Sequence, residues 1–485
     1  MDPARPFPVI PIRPVPVDRG TALPAATGAP QATIYMRSVR GWFATWRWVL
    51  VGLTQAFFYG VPWLTWNGRQ ALLFDLEAQR FFIGALVLYP QDLIYLAALL
   101  VLSALALFLF TAVAGRLWCG YACPQTVYTE MFMAVQRRVE GDRSARMRLD
   151  RSPWGVNKLV RKGTTQTAWV AISLVTGFTF VGYFTPIREL AQSVMAFAVS
   201  PWNLFWIAFY ALATYGNAGF LREQMCKYIC PYARFQSALI DKDSLIITYD
   251  RARGEPRGAR TRQQSAAALG VGDCIDCTLC VQVCPTGIDI RHGLQNECIG
   301  CAACIDACNG VMDKVGSPRG LIRYATENGM AQGWTRGRMF RRALRPRVLV
   351  YGMLLLLAAS AFVASLTLRS PFRFDVIRDR GALARIVDDG VVENVYRLQV
   401  MNRSERPQRY HVAVVGPSGL QVQADPVEVA PTGIQSVVAR VRLPPQAASS
   451  LAGRSIPIAF ELRSDPTGAS APVVQHEDST FFVPR

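Results

Sequence analysis

Eight cysteines between residues 274 and 308 restrict the possible folds of this chain more than any other feature. They repeat one spacing, Cys-x2-Cys-x2-Cys-x3-Cys, at Cys274, Cys277, Cys280 and Cys284 and again at Cys298, Cys301, Cys304 and Cys308. This doubled spacing is typical of bacterial ferredoxin modules with two 4Fe-4S clusters, and zinc sites rarely have it. In such modules the fourth cysteine of each run binds the other cluster. We therefore predict one cluster on Cys274, Cys277, Cys280 and Cys308 and a second on Cys298, Cys301, Cys304 and Cys284.

The two runs differ in the residue that follows their last cysteine. Pro285 follows the first run, as is usual in ferredoxins, whereas Asn309 follows the second. Because no ligand is lost, we expect this change to affect solvent access and potential but not cluster binding.

The chain is too apolar for an ordinary soluble enzyme, since 51% of its 485 residues are hydrophobic and 18% are charged. A helix that crosses a bilayer needs about 20 apolar residues. Five stretches meet this length: residues 48–66, 93–115, 164–187, 202–220 and 348–368. We predict a membrane bundle of five transmembrane helices. Residues 81–89 are too short to cross, so we expect an interfacial piece there.

Basic residues predict the orientation of this bundle in the membrane. Ten lysines and arginines lie in residues 116–162 and nineteen in residues 222–347, against two in residues 67–92. By the positive-inside rule, the N-terminus and the ferredoxin module are cytoplasmic, and five crossings place the C-terminal part outside. The same bias and anionic lipid account for the net charge of +18, so we expect no nucleic-acid partner.

Composition divides the chain into five parts. Residues 1–40 are rich in proline and are predicted to be a disordered arm. Residues 41–221 form a four-helix membrane region, and residues 222–346 form a cytoplasmic segment with the ferredoxin module at about 265–315. The fifth helix occupies residues 347–369. In residues 370–485, short alternating runs such as Tyr396, Leu398 and Val400 predict an immunoglobulin-like β-sandwich without chemistry of its own.

The four remaining cysteines form a second repeat. Cys119 and Cys123 precede Pro124, and Cys226 and Cys230 precede Pro231, each pair at the predicted cytoplasmic end of a membrane helix. Cysteines four residues apart share a helix face, and the proline tends to end the helix. If a pseudo-two-fold axis relates the hairpins, the four sulfurs converge on a site that suits Cu(I), zinc or an iron-sulfur cluster. The alternative is that these small residues only pack helix ends.

The few histidines exclude another class of redox protein. None of the three, His292, His411 and His476, lies in a predicted membrane helix, so a membrane b-type haem with two histidine ligands is excluded. No glycine-rich phosphate motif follows a predicted strand. The electrons must therefore come from a partner or from a membrane quinol.

The combination of paired C-x3-C-P motifs, a two-cluster module and a sandwich resembles the FixG/CcoG family of bacterial cytochrome c oxidase accessory proteins. The stretch CIGCAACIDACNGVMDK at residues 298–314 and PRGLIRY at residues 318–324 carry the resemblance, which covers about residues 35–485. The family shares asparagine or aspartate at the position of Asn309. The resemblance implies a cupric reductase that supplies Cu(I) to the copper chaperones of a cbb-type oxidase.

On this basis we expect the eight ferredoxin cysteines to relay electrons through two 4Fe-4S clusters. Copper is then the substrate, and the residues that contact and reduce it are Cys119, Cys123, Cys226 and Cys230. The expected partners are copper chaperones or assembly factors of the oxidase, the membrane and an unknown electron donor. Two alternatives remain: a quinol-oxidising membrane ferredoxin, which similar hairpins in periplasmic nitrate-reductase systems suggest, and a redox-sensing assembly scaffold.

Overall fold

The structure is a computed structural model that describes residues 34–484, apart from 261–263, 265, 267, 343, 380, 382, 388–389 and 467–471. Most of the predicted arm, residues 1–33, therefore lies outside the described residues. Its last part does not fit the prediction, because residues 34–40 pack against the folded chain. Arg37 N donates to Gln282 O at 2.8 Å, and Met36 is buried.

Helices form most of the first 370 residues. In chain order they are α1 (Trp42–Gly60), α2 (Leu93–Ala114), α3 (Leu117–Tyr121), α4 (Pro124–Glu140), α5 (Arg143–Arg151), α6 (Val156–Val181), α7 (Ile187–Met195), α8 (Pro201–Tyr215), α9 (Arg222–Gln224), α10 (Pro231–Leu239), α11 (Arg251–Gly254), α12 (Leu279–Gln282), α13 (Ala303–Val315), α14 (Glu327–Ala331), α15 (Arg336–Arg342), α16 (Pro346–Thr367) and α17 (Pro445–Ser449). Short 3-10 helices cover Val61–Trp63, Pro90–Asp92 and Ile290–His292, and π-helical turns cover Gly216–Leu221 and Met225–Ile229.

The strands fall into three small groups and two larger sheets. They are β1 (Thr65–Trp66), β2 (Arg69–Gln70), β3 (Leu72–Asp75), β4 (Arg80–Ile83), β5 (Leu86–Leu88), β6 (Ile246–Tyr249), β7 (Ile322–Ala325), β8 (Phe372–Arg378), β9 (Arg385–Val387), β10 (Val391–Asn402), β11 (Gln408–Val415), β12 (Gln421–Gln423), β13 (Val427–Val429), β14 (Ile434–Leu443), β15 (Ser455–Ser464) and β16 (Val474–Phe482).

Five long helices, α1, α2, α6, α8 and α16, lie at the five predicted membrane positions. Among the described residues, three helical stretches are long and apolar enough to cross a bilayer: Pro90–Ala114, Pro201–Ile229 and Pro346–Thr367. The other two helices carry charge, with Arg47 in α1 and Lys158, Arg161 and Lys162 in α6. That α1 and α6 cross the membrane remains a prediction.

The two ends of the helical region carry different domains. At one end, Arg345 before α16 donates to Ala112 O of α2 at 2.9 Å, beside the ferredoxin module. At the other end, the hydroxyl groups of Tyr95 in α2 and Ser365 in α16 are 3.1 Å apart, beside the sandwich. The helices α2 and α16 therefore run antiparallel and separate the two domains.

Residues 81–89 form no membrane-spanning helix, and their interfacial position stays a prediction. Residues 80–83 and 86–88 form β4 and β5, and the antiparallel sheet has the order β3-β4-β5. Val87 and Tyr89 of this segment share a buried core with Met401 of β10, and the Tyr89 hydroxyl donates to Asn402 O at 2.7 Å. Residues 80–89 therefore connect the sandwich to the helical region through packing and hydrogen bonds.

The C-terminal sandwich has the predicted architecture. One sheet has the order β12-β14-β10-β8, with β9 added to β10, and the other has the order β13-β11-β15-β16. Alternate residues of the facing strands, such as Leu398, Ala439 and Phe460, are fully buried between them. This alternation is the physical basis of the β prediction.

Candidate metal centres

The structure brings the eight ferredoxin cysteines together around two adjacent cavities. One cavity is lined by Cys274, Cys277, Cys280 and Cys308. The other is lined by Cys284, Cys298, Cys301 and Cys304, with Cys280 on the wall between them. These are the two sets expected from the spacing; their roles as ligands remain predictions. The other lining residues are mostly isoleucine, leucine and valine, which exclude water.

The two cysteine loops have matching and unusual backbone conformations. Asp276 and Gly300 have φ angles of 53° and 69°, and Thr278 and Ala302 have φ angles of 56° and 59°. These pairs occupy corresponding positions of the two runs. Left-handed residues between right-handed ones aim successive N–H groups at one point, a geometry common around iron-sulfur clusters. The two loops therefore share a backbone form that suits an anionic cluster.

Burial favours the neutral form of several thiols in the two cavities. Burial raises the pKa of Cys280 to about 11 and the pKa values of Cys298 and Cys308 to about 12. Buried thiolates need adjacent positive charge, and iron ions supply it. Dry cavities, four thiols in each and inward N–H groups together fit 4Fe-4S clusters.

Arg291 places a guanidinium group in the wall of the first cavity. Its side chain is 7% exposed, lines the cavity and pairs with Asp289 at 2.6 Å and with Asp276. Because two carboxylates offset its charge, Arg291 adds no net positive charge there. The cysteine spacing gives no indication of this residue.

The four other cysteines lie where short helices end. Cys119 is in α3 and Cys226 is in the π-helical turn Met225–Ile229, whereas Cys123 and Cys230 have extended backbones, with ψ angles of 128° and 110°, directly before α4 and α10. The prolines end the helices as predicted. The shared helix face is not formed, because the second cysteine of each pair lies outside the helix.

The first of these motifs touches the ferredoxin module. Gly120, which lies between Cys119 and Cys123, packs against the backbone of the module. A Cβ atom added at this glycine would lie 2.8 Å from Cys301 N and from Ile299 O. Cys119 and Cys226 both pack against the buried group formed by Val283, Ile299, Cys301 and Ala303. The membrane-edge thiols therefore lie directly beside the second cluster cavity.

A buried arginine and a glutamine surround the membrane-edge thiols. Arg116 is 7% exposed, and its Nε donates to Gln236 Oε1 at 3.0 Å. The Cys119 Sγ donates to the same oxygen at 3.3 Å. Burial raises the pKa of Cys119, and the charge of Arg116 acts in the opposite direction. Arg116 and Gln236 belong to no sequence motif, so the sequence gives no indication of their role.

The four membrane-edge thiols lie close enough to influence one another, because Cys226 interacts electrostatically with Cys119, Cys123 and Cys230. Among the described residues, no three histidine, cysteine, aspartate or glutamate side chains have the spacing of a single-ion site, and this applies to the ferredoxin cysteines as well. The convergence of the four sulfurs on one ion therefore stays a prediction. Two thiolates are still sufficient for Cu(I), which prefers soft ligands.

Family models match three parts of the chain. A 4Fe-4S dicluster domain matches residues 221–327, and a 4Fe-4S binding domain matches residues 96–140. The immunoglobulin-like fold at the C-terminus of FixG, described as part of an oxidoreductase, matches residues 362–484. Together with the three apolar helices, these matches define a membrane iron-sulfur oxidoreductase.

Three curated relatives show the family. Protein RdxA of Cereibacter sphaeroides is 39% identical over 403 residues, covering 81% of this chain and 84% of its own. Nitrogen fixation protein FixG of Rhizobium meliloti is 37% identical over 414 residues, covering 79% of each chain. Protein RdxB of Cereibacter sphaeroides is 38% identical over 445 residues, covering 90% of this chain and 92% of its own. The chain belongs to the FixG family.

One solved structure is similar to part of the chain. The crystal structure of a FixG-related protein from Vibrio parahaemolyticus matches with a TM-score of 0.20 and 23% identity, covering 24% of this chain and 97% of its own.

Proposed function

We propose that this protein reduces Cu(II) to Cu(I) for the assembly of a cbb-type cytochrome c oxidase. The observation that carries the proposal is the contact of one thiol from each pair, Cys119 and Cys226, with the buried group that contains Cys301 of the second cluster cavity. When bound, the two clusters supply single electrons, and Cu(II) needs one. Cu(I) is the softer ion, so the thiolates that meet the ion also favour the product.

The membrane-edge residues have distinct roles in this proposal. Cys119, Cys123, Cys226 and Cys230 contact copper, and Arg116 stabilises the thiolates that the ion requires. The product then passes to copper chaperones or assembly factors of the oxidase. We further propose a bacterial inner-membrane location with the ferredoxin module cytoplasmic and the sandwich periplasmic; the separation of the domains by α2 and α16 supports this arrangement.

The test replaces one thiol pair. In the double variant Cys226→Ser, Cys230→Ser, we expect iron content and both cluster signals to remain as in the wild type, while anaerobic Cu(II) reduction by the dithionite-reduced protein is lost. A serine at exposed Cys277, expected to be a cluster ligand, is the matched comparison and should lower iron content. Undiminished copper reduction in the double variant would refute the copper assignment. Loss of iron would show instead that this pair holds a cluster, as the 4Fe-4S match over Cys119 and Cys123 also allows.

A further inference from the structure

A large cavity lies where the ends of the helices meet the ferredoxin module. It encloses about 940 Å³, within the usual range for a small-molecule site. Its walls come from α1, from the α2–α3 junction and from the module, through residues such as Trp46, Phe110, Tyr121 and Tyr324. None of these residues is needed for the cysteine cavities.

The cavity is open to molecules that reside in the bilayer. Its lining is mostly aromatic and aliphatic, and α2 contributes Phe110, Val113 and Ala114 at the end of a membrane-spanning helix. Trp42 and Trp118, which also line it, are 68% and 44% exposed. Exposed tryptophans at helix ends mark the interface between hydrocarbon and water. A ligand with an apolar body can therefore enter from the lipid.

One buried polar group indicates that the ligand also has a polar head. Tyr121 is 7% exposed, and its hydroxyl lies beside that of Tyr324 without forming a hydrogen bond of regular geometry. The Tyr324 hydroxyl donates to Gly300 O at 2.6 Å, so towards Tyr121 it can act only as an acceptor. The Tyr121 hydroxyl is therefore incompletely satisfied, and a ligand oxygen in this cavity would offer it a better partner.

The cavity also adjoins both cysteine sites. Ile305 and Asn309, which line it, directly follow Cys304 and Cys308 in the chain, one from each predicted cluster. Ile322 lines both this cavity and the one around Cys274 and Cys308. A redox-active ring bound here is separated from the clusters by little more than one side chain.

We propose that this cavity binds a membrane quinol, which is the electron donor of the protein. Oxidation breaks the two O–H bonds of the quinol, releases two protons and yields the quinone; the two electrons would go to the 4Fe-4S clusters that the eight cysteines would hold, one electron to each. Tyr121 binds a quinol oxygen, and the aromatic walls hold the ring. The proposal rests on the electron-transfer function above, but it does not depend on copper as the acceptor.

The kinetic test uses the full-length protein in lipid nanodiscs with both clusters assembled. It is mixed anaerobically with a short-chain benzoquinol or, in a second arm, a naphthoquinol, and cluster bleaching is followed by stopped flow. We expect at least one quinol to reduce both clusters, and Tyr121→Phe to slow this at least tenfold. Tyr232→Phe is the matched control, because that hydroxyl lies 3.0 Å from Thr111 Oγ1 outside the cavity. Dithionite should reduce all three proteins alike.

A binding measurement locates the site independently. An azidoquinone should cross-link within residues 42–50, 110–122, 305–309 or 319–324, or at Leu245 or Met339, and Ala114→Phe, which fills the cavity, should abolish the cross-link. The proposal is overturned if neither quinol reduces the clusters, if Tyr121→Phe reacts as fast as wild type, or if the label maps elsewhere. A cavity that holds only a lipid chain gives the first of these results. Each of these three results leaves copper reduction by the dithionite-reduced protein intact. Failure of the quinol proposal is therefore distinct from failure of the proposed function.

Discussion

At the scale of single residues, the lack of a side chain at Gly120 determines how closely the first membrane-edge motif approaches the ferredoxin module. Gly120 lets the first membrane-edge motif meet Cys301, whereas the corresponding position of the second motif is Lys227. The two motifs are therefore equivalent in spacing but not in position, and only the first makes this backbone contact with the module.

We predict that Gly120→Ala separates the thiols from the second cluster cavity. The added Cβ would lie 2.8 Å from Cys301 N and Cα, which are backbone atoms that cannot rotate away. Copper reduction by the pre-reduced protein should fall severalfold while iron content stays unchanged, as measured by anaerobic Cu(I) chelation. Gly310→Ala in α13 is the control, because nothing lies within 4 Å of its added Cβ. Equal rates for both variants would show that this contact is unimportant for electron transfer.

The sequence predicted the residues whose chemistry depends on spacing and missed those that reach the site only through tertiary packing. The grouping of the eight cysteines follows from a repeated motif, because each run supplies three ligands of one cluster and the fourth ligand of the other. Arg116, Gln236 and Arg291 belong to no motif, and they reach the thiols only after helices and loops pack. The environment of the Tyr121 hydroxyl likewise depends on how Tyr324 is oriented.

At the scale of elements, buried charges join the first helix to the rest of the molecule. Arg47 of α1 pairs with Glu130 of α4 at 3.4 Å, and Arg137 pairs with the same carboxylate at 2.8 Å. The Asp306 carboxylate of α13 accepts a hydrogen bond from Ala44 N at 2.8 Å, near the start of α1. The charge that makes α1 look less like a membrane helix thus positions it against the redox module.

We predict that Glu130→Gln strongly destabilises the protein. Burial alone would raise the pKa of Glu130, but Arg47 and Arg137 hold it below its usual range. Removal of the carboxylate leaves the buried Arg47 without an opposite charge, a loss of roughly 3–5 kcal/mol. The melting temperature of the purified protein should therefore fall clearly. Glu255→Gln, which breaks the surface pair with Arg257 at 2.9 Å, should change it little. Similar melting temperatures for the two variants would contradict this role of Glu130.

Short strands show what local pattern leaves open at this scale. Residues 81–89 are apolar and brief, and such runs do not by themselves fix a secondary structure. The pairing of β4 with β3 and the docking of Tyr89 on β10 are long-range contacts, which local pattern does not contain. In contrast, the sandwich strands were predictable because alternation extends over residues 437–443 of β14 and over all ten residues of β15.

At the scale of the whole molecule, the redox groups and the sandwich lie at opposite ends of the helices. All twelve cysteines belong to the ferredoxin end, and the quinol cavity opens there too. The proposed route is therefore short: from the membrane cavity past the two cysteine cavities to the thiols at the helix ends. The sandwich, which contains no cysteine, takes no part in that route.

Anaerobic stopped-flow absorbance combined with freeze-quench paramagnetic resonance tests the central claim most directly. The dithionite-reduced protein, freed of excess reductant, is mixed with Cu(II), and both the cluster signals and the Cu(II) signal are followed. The account predicts that the two reduced-cluster signals disappear at the rate at which Cu(II) becomes Cu(I), with two Cu(I) formed per protein. Clusters that stay reduced while Cu(II) persists would contradict the claim that this protein reduces copper.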